Sequence, residues 1–197
     1  MNRSIFALLA AASLGAIVPE YVGLGFTHIL PHGLDHILFI LGLFLLARDA
    51  FTLLVQVSLF TMAHSLTLAL SLLGLVALPT TWVEVAIALS IAFIAVENLF
   101  CDKLSRWRPL MVFGFGLIHG LGFAHTFQET PVQAESLIPA LFSFNIGIEL
   151  GQLAVVGIAF ALVAAWWRRE DYARLIARPA SAMIALVGLY WAIERSL

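Results

Sequence analysis

The chain has 197 residues, of which 62% are hydrophobic and 11% charged, with a formal net charge of -2. An average soluble domain carries roughly 25% charged residues, and a soluble fold of this size could not bury so much apolar surface. Composition therefore excludes a soluble enzyme, a disordered chain and a nucleic-acid binder, and the single cysteine excludes a disulfide framework. We expect an all-α, polytopic transmembrane helix bundle that forms one domain over residues 1–197.

The chain contains seven apolar segments that approach the length of a membrane span, about 20 residues. They cover residues 4–18, 31–47, 51–78, 82–100, 110–127, 137–167 and 179–193. The first segment follows Arg3 and also resembles a signal peptide, whose removal would leave about six spans. The segments therefore predict about seven helices, joined on one side of the membrane by residues 19–30, 79–81 and 128–136.

The basic residues predict the orientation of these spans. Ten Lys and Arg residues are present, and all but Arg195 fall on one side of the predicted bundle. Lys and Arg are enriched in cytoplasmic loops. We therefore expect a multi-pass protein of the cell (inner) membrane, with its N-terminus in the cytoplasm and its C-terminus on the outer side.

A polar cluster opens the second predicted span. His32, Asp35 and His36 share one helical face about 100° wide, and His28 lies just before them. Imidazoles with a carboxylate at this spacing suit a divalent transition-metal ion. The alternative is a set of interfacial histidines that bond to their neighbours, with Asp35 orienting His32 or His36.

Further polar side chains lie near the middle of later spans, where ionisable groups are costly and often functional. His64 and His119 lie close to the predicted midplane, and Glu149 shares a stripe with Asn145 and Gln152. Glycines flank His119 and Glu149, so close helix packing is expected to bring these two side chains together. Either histidine alone is equally compatible with a hydrogen-bonded core residue, whereas Glu149 needs a partner such as a histidine or a cation.

The fourth predicted span carries a carboxylate near each end. Glu97 lies toward the inner end, beside a second polar residue, and either lines an inner exit or anchors a helix contact. Glu84 lies near the outer end, where we expect it to be solvated.

Six segments together resemble the HupE/UreJ family of integral membrane proteins. The matching segments are residues 25–30, 33–39, 60–68, 83–98, 116–124 and 144–152. They follow the family order within a core of residues 23–155 and leave the first and last spans uncovered. The resemblance implies a secondary permease for nickel or cobalt, with His28, Asp35 and His36 as the metal-binding signature. His32 departs from the family pattern.

The resulting hypothesis is a permease, or a metal-binding accessory protein, with an outer-facing His/Asp site above a midplane site. The proposed metal ligands are His28, His32, Asp35, His36, His64, His119 and Glu149, supported by the polar residues Asn145, Gln152 and Glu97. Nickel is implied by the resemblance, while zinc, copper and cobalt also bind imidazole. The expected partners are the metal ion and the lipid bilayer, with no nucleic acid and no nucleotide, and a homo-oligomer is compatible with the sequence.

Two other functions fit the same residues. A membrane-embedded metal-dependent hydrolase could use the histidine and carboxylate cluster to activate water, although no catalytic residue is assigned. A haem protein could use His64 and His119 as axial ligands, because both are expected at similar depth.

Overall fold

The chain folds as a bundle of helices, described here from a computed structural model that covers residues 17–47, 49–128 and 137–197, with no side-chain description for 124–128. No strand occurs in these ranges. The helices are α1 (Ile17–Ile29), α2 (Leu34–Leu46), α3 (Ala50–Leu72), α4 (Thr80–Phe100), α5 (Arg108–Gln128), α6 (Leu137–Val163) and α7 (Arg178–Glu194). The all-α class predicted from the sequence is confirmed.

Several of these helices are suited to a membrane. Four described helices are long and apolar enough to cross a membrane. They are α3, α4, α6 and the segment Ala173–Glu194, which contains α7. The pair α1 and α2 passes the same test together but is bent by 69°, and the apolar part of α5, Arg108–Phe123, is shorter. Most of the predicted first span (4–16), and residues 129–136 of one predicted connection, lie outside the described residues.

Residues 19–30, which we predicted as a connection, form most of helix α1 instead. The correction has a physical reason in helix packing. A Cβ atom on Gly147 of α6 would overlap the backbone carbonyl of Val22, so the missing side chain lets α1 lie directly against α6. Tyr21 and Ile29 are buried in the same contact region. The break between α1 and α2 falls at Pro31 and Gly33, since proline lacks the N–H that a continuous helix needs.

Local signals set several helix ends. Asp49 caps α3 by accepting a hydrogen bond from the Thr52 backbone N–H at 2.8 Å, and this bond holds the pKa of Asp49 below its usual value. Helix α3 ends at Leu72, earlier than the predicted residue 78, before Gly74 with φ of +70°. A left-handed conformation of this kind favours glycine and ends the helix.

The bundle has two ends, which we name by residues. Helices α2, α4 and α6 begin at the Asp35 end, and helices α3, α5 and α7 begin at the Arg108 end. Helix α3 packs along α5, and α4 packs along α7. Gly120 permits the first contact, because a Cβ atom there would overlap the His64 carbonyl oxygen and Thr67 Oγ1. This close approach carries His64 and the α5 side chains into one interior region.

Candidate metal centre

Three histidines from three different helices meet inside the bundle. His28 lies in the last turn of α1, His36 in the first turn of α2, and His64 in the middle of α3. Each offers one ring nitrogen, and these nitrogens all lie within 4.8 Å of one another. His36 and His64 are buried, and His28 is half-buried. We call these three residues the histidine cluster.

His119 on α5 adjoins this cluster. Its ring centroid lies 5.1 Å from that of His36, and its Nε2 lies 3.0 Å from Ser90 Oγ. The Ser90 hydroxyl donates its one proton to the Ile87 carbonyl at 2.7 Å. Its oxygen can therefore accept from Nε2–H of His119, which assigns the lone pair of that ring to Nδ1.

Several ring nitrogens at this site are buried and have no hydrogen-bond partner among the described residues. They are His28 Nε2, His36 Nε2, both nitrogens of His64, and His119 Nδ1. Buried polar atoms almost always have a partner, and leaving one unpaired costs about 1–3 kcal/mol. Neutral imidazole lone pairs bind borderline transition-metal ions, so the donor set fits such an ion.

Aromatic side chains enclose the cluster. The Phe123 ring centroid lies 3.9 Å from that of His28, and the Phe60 centroid lies 5.8 Å from that of His36. Phe39 and Phe60 are fully buried and lie 4.9 Å apart between centroids. Because these rings offer no polar atoms, an ion bound here would be held by imidazoles in largely apolar surroundings.

A cavity of about 170 Å³ reaches His28, His36 and His119 from the Asp35 end. Asp35 and Glu84 line the same cavity, as does His32, which is exposed. The site thus has a polar route of access from that end of the bundle.

Asp35 bonds to an arginine and not to a histidine. Arg195 Nη2 lies 3.1 Å and 3.3 Å from the two Asp35 carboxylate oxygens. Arg195 Nε also lies 3.5 Å from Glu84 Oε2. The alternative considered from the sequence, in which Asp35 orients His32 or His36, is therefore not seen, and Asp35 instead forms an ion pair with Arg195. Glu84, expected to be solvated, shares that arginine while 43% of its side chain stays exposed.

Glu149 belongs to a different contact from the one we expected. Its carboxylate accepts a hydrogen bond from Ser58 at 2.9 Å, whereas neither nitrogen of His64 has a partner. The flanking glycines explain why Glu149 and His119 do not meet. Gly147, beside Glu149, packs against α1, whereas Gly120, beside His119, packs against α3. Close packing at these glycines therefore does not pair Glu149 with His119.

The two supporting residues on α6 continue the same line of contacts with α3. Thr61 Oγ1 donates to Gln152 Oε1 at 2.8 Å, and the Ser65 hydroxyl donates to Asn145 Oδ1. With the Ser58–Glu149 bond, these pairs form a polar seam between α3 and α6.

Glu97 lies near the Arg108 end, away from the cavity that reaches the histidines. Its carboxylate pairs with buried Arg108, which also donates to Gln56 Oε1 at 3.0 Å. Asn98 donates to the Gly42 carbonyl at 2.8 Å and to Ser181 at 3.2 Å. Glu97 therefore anchors a helix contact, one of the two roles considered from the sequence.

The sequence did not indicate three partners that the structure shows: Ser90 for His119, Arg108 for Glu97, and Arg195 for Asp35. Arg108 lies in the charged segment between two predicted spans and Arg195 lies after the last predicted span, so no helical stripe indicated a partner for either. Ser90 lies in an apolar helix, where a serine that bonds to its own backbone is ordinary. Only the helix arrangement reveals their partners.

The fold is that of a helical membrane protein, with a buried histidine cluster that suits a transition-metal ion. A family model described as HupE / UreJ protein matches residues 6–195, nearly the whole chain, and the protein therefore belongs to the HupE/UreJ family. Comparisons with curated proteins and with solved structures give no match.

Proposed function

We propose that this protein binds a divalent transition-metal ion at the histidine cluster and carries it across the membrane. The observation that supports this most is the approach of three ring nitrogens to within 4.8 Å, from residues on three helices. The unpaired Nδ1 of His119 offers a fourth ligand beside them. Membership of the HupE/UreJ family suggests nickel or cobalt as the cargo, and imidazole ligands suit both.

The proposed direction of access is from outside the cell. Lys103 and Arg106 lie at the Arg108 end, where α4 ends and α5 begins, and Arg178 begins α7 there. From the positive-inside rule we infer that this end faces the cytoplasm, and we therefore propose that the Asp35 end and its cavity face outward. An ion entering the cavity would reach His28, His36 and His119, which line it.

Passage to the cytoplasmic side would need a rearrangement. Phe39 and Phe60 lie next to the histidines, with ring centroids 5.2 Å and 5.0 Å from that of His119, and both are at most 1% exposed. Toward the Arg108 end, the buried ion pair between Arg108 and Glu97 further joins the helices that surround this path. We therefore propose that the described conformation loads the ion from outside and that release requires these groups to separate.

A hydrolase using the same cluster would need a carboxylate as general base near the metal-bound water. The carboxylates that line the cavity, Asp35 and Glu84, are held by Arg195. This arrangement favours transport over hydrolysis.

The decisive experiment measures uptake of Ni²⁺, Co²⁺ and Zn²⁺ into liposomes that contain the purified protein, together with binding by calorimetry. His64→Leu removes one ligand and should lower metal affinity by more than about 100-fold and abolish uptake. The empty variant should remain folded, because leucine removes unpaired buried nitrogens.

Ser181→Ala is the matched control, since it removes another buried polar side chain at the Arg108 end. It should keep the affinity and the uptake of the unaltered protein. Binding with no uptake of any ion would point to the accessory role, and unchanged affinity in His64→Leu would contradict the site.

A further inference from the structure

Two carboxylates and one guanidinium meet at the mouth of the cavity. Asp35 lies in the first turn of α2 and Glu84 near the start of α4, and both line the cavity. Arg195 binds Asp35 at 3.1 Å and Glu84 at 3.5 Å. One positive charge therefore faces two negative charges, which leaves a formal charge of -1 at the mouth.

Arg195 is held in this place by more than the two carboxylates. It follows directly after α7, and its Nη1 donates to the Glu84 backbone carbonyl at 3.3 Å. Its Cζ lies 5.1 Å from the ring centroid of Trp191, one turn earlier. The side chain is 20% exposed. Cation–π contact with Trp191 would remain if the carboxylates were taken by another cation.

Unpaired nitrogens lie further inside the same cavity. His36 is 6% exposed and His119 is 1% exposed, and both line the cavity with one ring nitrogen that lacks a partner. A cation that reaches these nitrogens from the Asp35 end passes the two carboxylates. The mouth is therefore continuous with a second set of metal donors and is not an isolated acidic patch.

We propose that Asp35 and Glu84 form a separate capture site for divalent cations, which the Arg195 guanidinium occupies as a tethered cation when no ion is bound. An arriving ion displaces Arg195 from the carboxylates and then moves inward to the histidines. This role rests on the proposed function, because it describes how the ion enters the site already proposed.

The chemistry of the two sites gives the transfer its direction. Carboxylate oxygens bind first-row divalent ions less selectively than imidazoles, which suit nickel, cobalt and zinc. Arg195 competes for the carboxylates, so an ion held at the mouth is bound weakly enough to move on. Without Arg195, two uncompensated carboxylates would hold a cation more tightly.

Terbium(III) tests the capture site without using the histidines, because it prefers oxygen ligands and is excited by energy transfer from a nearby tryptophan. We expect Tb³⁺ emission sensitised by Trp191 in the full-length purified protein. Arg195→Gln should raise the Tb³⁺ affinity by about tenfold, within the usual range of coupling between two ligands. Asp35→Asn combined with Glu84→Gln should lower it by at least about tenfold, and Trp191→Phe should remove most of the emission.

Arg178→Gln is the matched control, because Arg178 also pairs with a carboxylate, Asp102, but at the Arg108 end. It should leave Tb³⁺ affinity unchanged. Arg195→Lys keeps the positive charge and should bind Tb³⁺ with an affinity between that of the unaltered protein and Arg195→Gln. An Arg195→Gln protein with unchanged or weaker Tb³⁺ binding would overturn the proposal, as would emission that survives loss of both carboxylates.

His64→Leu separates this proposal from the proposed function. It should leave Tb³⁺ binding intact while it abolishes tight Ni²⁺ binding. If Ni²⁺ binding proves independent of His64 but Tb³⁺ still follows Arg195, Asp35 and Glu84, the proposed function fails and the capture site stands.

Discussion

Arg108 Nη1 lies 2.6 Å from Glu97 Oε2, in an ion pair whose arginine is 1% exposed and whose glutamate is 10% exposed. The pair joins the end of α4 to the beginning of α5. Gln56 on α3 accepts from the same arginine. Three helices are thus connected at the Arg108 end by one buried cation.

Loss of Glu97 should destabilise the protein because it leaves that cation without a counter-charge. We expect Glu97→Ala to lower the free energy of unfolding by about 3–5 kcal/mol, the cost of breaking a buried ion pair. The double variant Glu97→Ala with Arg108→Met should recover much of this loss, since no buried charge remains. Denaturation of the purified protein in detergent measures both, and equal stability of the two variants would contradict the prediction.

Gly120 should tolerate no side chain, because a Cβ atom there would overlap the His64 carbonyl oxygen. We expect Gly120→Ala to separate α3 from α5, lower stability by about 1–3 kcal/mol and weaken metal binding by displacing His64. Gly114, on the same helix, is the matched control because nothing lies within 4 Å of its Cβ position. Gly114→Ala should raise stability by up to about 1 kcal/mol, and thermal unfolding compares the two.

Ser90 should position His119 through the hydrogen bond at 3.0 Å. Ser90→Ala removes the acceptor for Nε2–H and should lower metal affinity about 10–100-fold, the usual effect of losing a group that orients a ligand. Nitrogen-15 NMR of the imidazoles should show a change in the tautomer of His119. Ser181→Ala, at another buried serine, should leave affinity and tautomer unchanged, and equal effects of the two substitutions would argue against positioning.

Glu149→Gln should leave metal affinity at the histidine cluster within a few-fold of the original value. The amide oxygen of glutamine can still accept from Ser58, so the contact between α3 and α6 is kept. Calorimetry with Ni²⁺ measures the effect. A loss of tenfold or more would show that Glu149 acts on the metal directly, as the sequence alone suggested.

The sequence by itself determined the class of fold. A long apolar run with little charge must form a helix in lipid, because its backbone groups have no other hydrogen-bond partner there. The α3, α4 and α6 spans follow directly from this local property. The same property did not predict helix α1, because residues 19–30 contain too short an apolar run to indicate a span. Packing against α6 supports this helix instead.

The tertiary structure decided which polar residues meet. Helical periodicity places Glu149 on a stripe with Asn145 and Gln152, but it does not say which neighbour that stripe faces. Small residues decide this, because Gly147 admits α1 and Gly120 admits α3. The same packing brings one ring nitrogen from each of His28, His36 and His64, which are far apart in the chain, to within 4.8 Å of one another. It also brings the last arginine of the chain to Asp35, a contact between residues 160 positions apart that no local pattern encodes.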